Sequence, residues 1–229
     1  MAKHQLTATV LLAVLLALAA PSLARDPDML QDICVADYSS LDGPLRVNGY
    51  PCKRISNVTA EDFFYGGLAT AADVYAGGNP MGSVVTPAGA DKLPGLNTMG
   101  ISVARGDYAA WGGVNPPHSH PRATEMLLVL QGALEVGFVL PGTANRLITR
   151  TVPTGGAFVF PRGTVHYERS VGESPAVAVS AFDSQSPGTV VVGDALFGAA
   201  PAVPTEVLAR AFLVDVGVVE KIKSKFQTN

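Results

Sequence analysis

The chain has 229 residues, of which 48% are hydrophobic and 15% charged, with 16 Lys and Arg against 19 Asp and Glu for a formal net charge of −3. That length suits one all-β domain, or two small ones, with enough interior to bury a core. No basic stripe interleaved with aromatics runs along it, which argues against nucleic acid as a partner.

The first two dozen residues read as a secretory leader (1–24). Lys3 and His4 form a short polar start, residues 10–20 an apolar run, and Ser22-Leu23-Ala24 a small-residue cleavage site. The run is shorter than the roughly 20 residues that span a bilayer, and Pro21 follows it, so no membrane span is expected. Cleavage before Arg25 removes Lys3 and moves the formal charge to −4.

Cys34 and Cys52 are the chain's two cysteines, and export to an oxidising compartment predicts that they pair. Such a loop closure stabilises by roughly 3 kcal/mol on the entropic model. Their spacing is not a zinc pattern. Asn57-Val58-Thr59 is an N-glycosylation sequon, implying a surface position for Asn57 in a secreted chain.

From about 99 to 192 the sequence alternates short β-rich runs with Gly and Pro. Strands are predicted at 101–108, 125–130, 133–140, 146–151, 157–160, 164–168, 177–182 and 189–192, a spacing typical of a sandwich or closed barrel. Gln131-Gly132, Pro141-Gly142 and Pro161-Arg162-Gly163 read as turns between them. After Pro204, Thr205 is positioned to cap a helix carrying Val207, Leu208, Ala211 and Phe212. Asp215 is positioned to cap another carrying Val218, Val219, Ile222 and Phe226. Their apolar faces have two destinations, another subunit or their own domain. Lys221, Lys223 and Lys225 fall near that last helix's end, where positive charge is favoured.

Once the leader is set aside, three histidines remain, all in two motifs: PPHSHPRATE, with His118, His120 and Glu125, and PRGTVH, with His166. Imidazole and carboxylate are ligands for borderline and hard divalent ions. Residues two apart in a strand share a face, so His118 and His120 can reach one ion. Glu125 lies an odd number of positions from His120, so Pro121 and Arg122 must bend or bulge the chain. Two histidines so spaced are by themselves more often a chance strand pair; Glu125 and the strand-borne His166 make a four-ligand set.

The first motif and GGAFVFPRGTVHY closely resemble the two cupin motifs of the germin and germin-like proteins. LQDICVAD, SNVTAEDFF and VVEKIKSKF resemble the same family, so the likeness spans nearly the whole mature chain. It implies a cupin jelly-roll β-barrel with C-terminal α-helices: one domain over 25–229, its barrel at about 60–200 and its helices at about 205–226. It implies a secreted apoplastic glycoprotein, a homohexamer built as a trimer of dimers with the helices clasping neighbours, and a disulfide matching Cys34 and Cys52. It also implies manganese held by residues matching His118, His120, Glu125 and His166, a metal that ligand chemistry alone would not select.

The activity that follows is superoxide dismutation, with a role in plant defence through hydrogen peroxide. The alternative is a non-enzymatic metal- or ligand-binding storage protein of the cell wall. Oxalate oxidation, the family's other activity, uses two positioning asparagines. Asn115 matches one, whereas Ala104 stands at the other and cannot hydrogen-bond a carboxylate, which argues against that reaction. The loop 109–114 is also one residue longer than in true germins. Arg105-Gly106-Asp107 spells an attachment tripeptide but falls within a predicted strand, so it reads as coincidence. Trp111 reads as a loop or rim packing residue.

Overall fold

The computed structural model describes residues 31–40, 49–142 and 144–226. The expected leader, 1–24, lies outside them. Ten strands form two five-stranded antiparallel sheets: β1 (Ser83–Ala88), β2 (Ser102–Tyr108), β3 (Val114–Ser119), β4 (Glu125–Gln131), β5 (Ala133–Leu140), β6 (Arg146–Pro153), β7 (Ala157–Phe160), β8 (His166–Ser170), β9 (Ala176–Phe182) and β10 (Val190–Val191). One sheet runs β1-β2-β9-β4-β7 and the other β10-β3-β8-β5-β6, the expected jelly roll.

Strict alternation creates the layers. On β4, Glu125, Leu127 and Val129 are buried while Met126, Leu128 and Leu130 are exposed. Leu134, Val136 and Phe138 of β5 meet them from the other sheet, with Val152, Phe160, Ala176 and Ala178 completing one core. Each fully buried Leu or Val contributes about 1.5–3 kcal/mol. Gly132, at φ +73°, makes the β4–β5 turn as expected.

Two strands escaped the sequence reading, β1 and β3, and both carry proline. Pro87 sits in the edge strand β1, where a missing N–H is tolerated. Pro116 and Pro117 interrupt β3, and its register against β8 shifts between Asn115 and His118. The last predicted strand shrinks to β10, because residues from Val192 onward form a short helix, α1 (Val192–Phe197).

Helices α2 (Thr205–Phe212) and α3 (Val216–Phe226) lie where predicted. Thr205 does not cap α2: Pro204 holds that position, and the Thr205 hydroxyl instead receives Lys223 Nζ at 3.2 Å. The Asp215 carbonyl accepts the Val218 and Val219 N–H groups. Leu208, Ala209 and Val219 pack with Leu196, Phe197 and Val203, so the helices close on one another and on α1. Val207, Phe212, Leu213, Val214, Val216 and Val218 stay exposed. Both destinations left open by the pattern are therefore in use or available.

Cys34 and Cys52 form the disulfide. It ties the described N-terminal segment beside a bridge between Ala36 and Cys52, and the Ala36 N–H reaches the Pro94 carbonyl at 2.9 Å. Asn57 is exposed.

Candidate metal centre

The four sequence-predicted ligands converge. One ligand atom from each of His118, His120, Glu125 and His166 lies within 4.8 Å of all the others, and all four side chains are buried. His118 comes from β3, His120 from just beyond its end, and His166 opens β8, the pair His118 and His166 being in register. The chain bends at Pro121 and Arg122, as expected, and it does so by a turn between strands instead of a bulge within one. The chain leaves β3, turns through 120–124, and begins β4 in the opposite sheet, so Glu125 faces the histidines across the barrel and strand parity does not apply.

The histidines are oriented by backbone. Nδ1 of His118 bonds the Pro116 carbonyl at 2.8 Å, that of His120 the Gly188 carbonyl at 2.5 Å, and that of His166 the Thr164 carbonyl at 2.8 Å. A carbonyl only accepts, so each Nδ1 carries the proton and each Nε2 turns a lone pair inward. Nε2 of His120 and of His166 each stand 3.1 Å from Glu125 Oε2. With neutral rings these lone pairs face the carboxylate across a short gap, and this donor set fits a divalent ion with the imidazoles fixed by outer hydrogen bonds.

Electrostatics agree with that geometry. Burial, followed by the neighbouring His166, lowers the His118 pKa to about 4, so its imidazole is neutral and available near pH 7. Burial opposes the charge of Glu125, but the facing His120 and His166 and the Ser180 hydroxyl, at 2.6 Å from Oε1, hold its carboxyl well below the usual range. Phe160 stacks on His166 at 4.4 Å between ring centres and Phe182 abuts His120 at 4.8 Å, giving these two rings apolar neighbours.

A cavity of about 340 Å³ is lined by three of the four donors, His118, His120 and Glu125. Asn115 and Ala104, the two positions singled out above, both line it, and so do Tyr108, Ser180 and Glu168, which sequence reasoning missed. Period-two counting from His166 would have placed Glu168 and Ser170 on the same inward face. Burial, and next the charge of Glu125, push the Glu168 carboxyl well above its ordinary value, with Asn115 acting the other way. Burial raises the Tyr108 phenol likewise. Trp111 stands in the β2–β3 loop at 72% exposure, outside the cavity lining and largely unpacked.

A cupin family model matches residues 68–220. The chain is 72% identical to germin-like protein 1-4 of Oryza sativa subsp. japonica over 219 residues, covering 94% of this chain and 93% of the relative. It is 51% identical to germin-like protein subfamily 2 member 2 of Arabidopsis thaliana over 205 residues, 90% of each. Among solved structures, an oxalate oxidase in complex with the substrate analogue glycolate superposes with a TM-score of 0.80 at 46% identity, covering 88% of this chain and 98% of that one.

Proposed function

The chain belongs to the germin-like proteins of the cupin family, and from that premise we propose that it is a secreted manganese-dependent superoxide dismutase of the plant apoplast. The observation carrying this reading is the inward convergence of three imidazole Nε2 atoms and one carboxylate, each imidazole locked by its own backbone carbonyl.

His118, His120, His166 and Glu125 would hold the ion. Manganese held there would supply one-electron exchange between its divalent and trivalent states, the chemistry that converts two superoxide ions and two protons to dioxygen and hydrogen peroxide. One carboxylate against a divalent charge leaves a net positive donor set, which attracts a small anion. Glu168, whose carboxyl is pushed up by burial and by Glu125, lines the same cavity. Asn115 offers an amide to the incoming molecule.

Ala104 supplies no such amide from β2, and among the described residues no lysine or arginine lines the cavity. Both features weigh against oxalate oxidation, the activity named for the similar solved structure. Secretion accords with the Cys34–Cys52 disulfide and with the absence, among the described residues, of any helix long and apolar enough to cross a membrane. A glycan on exposed Asn57 and a homohexamer assembled through the exposed faces of α2 and α3 belong to the same reading.

The test is metal content and superoxide dismutation measured together on purified secreted protein, native, chelated and reloaded with manganese. Activity should vanish with the metal and return at about one manganese per subunit, the stoichiometry of four ligands from one chain. Full manganese loading without activity would move the protein to the binding or storage class. His118→Ala and His166→Ala should each lose the metal and the activity while keeping the native oligomer size.

A further inference from the structure

The cavity is far larger than superoxide. At about 340 Å³ it has room for roughly eleven water volumes. Its space comes from β2, whose inward positions Ala104 and Gly106 carry almost no side chain. With Val85, Pro87, Phe182 and Val191 they make an apolar wall. Small-molecule sites of this size combine such walls with a few convergent polar groups.

Glu168 is the unusual polar group here. It lines the cavity at 1% exposure; neither carboxyl oxygen has a partner at full hydrogen-bond geometry, although Asn115 stands near enough to act on the carboxyl. A buried polar oxygen left unmet is costly and uncommon in native structures. Its neighbour across the strand pair, Asn115, also lines the cavity.

We propose that this cavity binds an uncharged organic molecule with an apolar body and a hydroxyl group, the hydroxyl meeting Glu168 and Asn115. A hydroxyl both donates and accepts, so it satisfies the Glu168 carboxyl in either charge state and the Asn115 amide as well. A ligand carboxylate in place of the hydroxyl could only accept, so it would have nothing to donate to a Glu168 carboxylate, and among the described residues no lysine or arginine lines the cavity. The site is built from protein atoms alone, so it goes beyond the dismutation reading without resting on it.

The test uses full-length secreted protein, manganese-loaded, with cyclohexanol and methylcyclohexane as probes followed by saturation-transfer NMR at millimolar concentrations. Cyclohexanol should bind about tenfold more tightly than methylcyclohexane. Glu168→Leu should abolish that preference, and Ala104→Leu, which fills the space, should weaken cyclohexanol by about tenfold or more. Equal binding of the two probes, no binding of cyclohexanol, or cyclohexanol binding that Ala104→Leu leaves unchanged would each overturn the proposal. Since Ala104→Leu leaves the carboxyl in place, the test survives a Glu168 variant that fails to fold. Failure to load manganese would sink the dismutase reading alone, because the probe contrast can still be read on the same protein.

Discussion

Ser180 donates a 2.6 Å hydrogen bond to Oε1 of Glu125. The two carboxylate oxygens therefore have separate tasks: Oε1 is tied to β9, while Oε2 faces His120 and His166 at 3.1 Å. Ser180→Ala frees the carboxylate to rotate. Since outer-shell partners of this kind are worth about 10–100-fold in metal affinity, the variant should bind manganese at least about tenfold more weakly in competition with a chelator. Unchanged affinity would reduce Ser180 to a packing role.

The metal-free protein should show opposing pH dependences inside one cavity. His118 titrates near 4 in the folded state instead of 6.5, so the unfolded chain binds the extra proton and stability falls as pH drops from about 6.5 through about 4. That shift is on the order of 3 kcal/mol. Glu168 acts in the opposite sense: its carboxyl is raised, so its contribution is present below its ordinary 4.5 and lost as pH rises above it. Glu168→Gln removes the second effect. Urea midpoints of that metal-free variant should climb between about pH 4.5 and 6.5 more steeply than those of the parent, and the variant should be the more stable at pH 7. Parallel profiles would show that burial does not raise the Glu168 carboxyl.

The legible part of this molecule was its chemistry and its alternating strands. Leu127, Val129, Leu134 and Val136 carry a period-two pattern that only one register satisfies, and the two histidine motifs name their ligands outright. β3 was hidden because Pro116 and Pro117 remove two N–H groups from it; its pairing depends on β8 and on the two-residue β10, which lie far away in sequence. The origin of Glu125 in the opposite sheet was hidden for a related reason. Parity along one strand says nothing once the chain crosses between sheets. Glu168 was passed over because a glutamate in a strand ordinarily faces solvent, and only the inward register of His166 reverses that expectation.

The exposed apolar residues of the C-terminal helices make an assembly prediction. Leu213, at the end of α2, is 91% exposed, with Val207, Phe212 and Val218 also open to solvent. Large apolar side chains left open on adjoining helices are the kind of surface a partner covers. Leu213→Asp places a charge where an apolar partner would sit, so light scattering after size exclusion should show a smaller species. Manganese content should be unaltered, because the ligands lie in the barrel. An unchanged oligomer would mean that these helices do not clasp a neighbour.

The Arg105-Gly106-Asp107 triplet is a structural clamp. Arg105 Nε and a terminal nitrogen donate to Asp107 at 2.8–3.0 Å, and its other terminal nitrogen donates to the Leu68 carbonyl at 3.1 Å. Asp107, 4% exposed, also accepts the Ala72 N–H at 3.0 Å. An aspartate so enclosed cannot serve as an attachment ligand. The pair fastens residues 66–72 to β2, next to the segment that carries Asn79 and Met81 to the cavity. Arg105→Ala would leave the carboxylate buried with one backbone donor, and removal of one partner from such a pair costs about 3 kcal/mol. Arg105→Lys should recover only part of that loss, because a single ammonium cannot span both Asp107 and the Leu68 carbonyl as the guanidinium fork does. Urea midpoints should therefore rank the parent first, then Arg105→Lys, then Arg105→Ala. Limited proteolysis should cut first within residues 66–72 in the alanine variant. Equal stability of all three would mean that the fold holds that segment without the clamp.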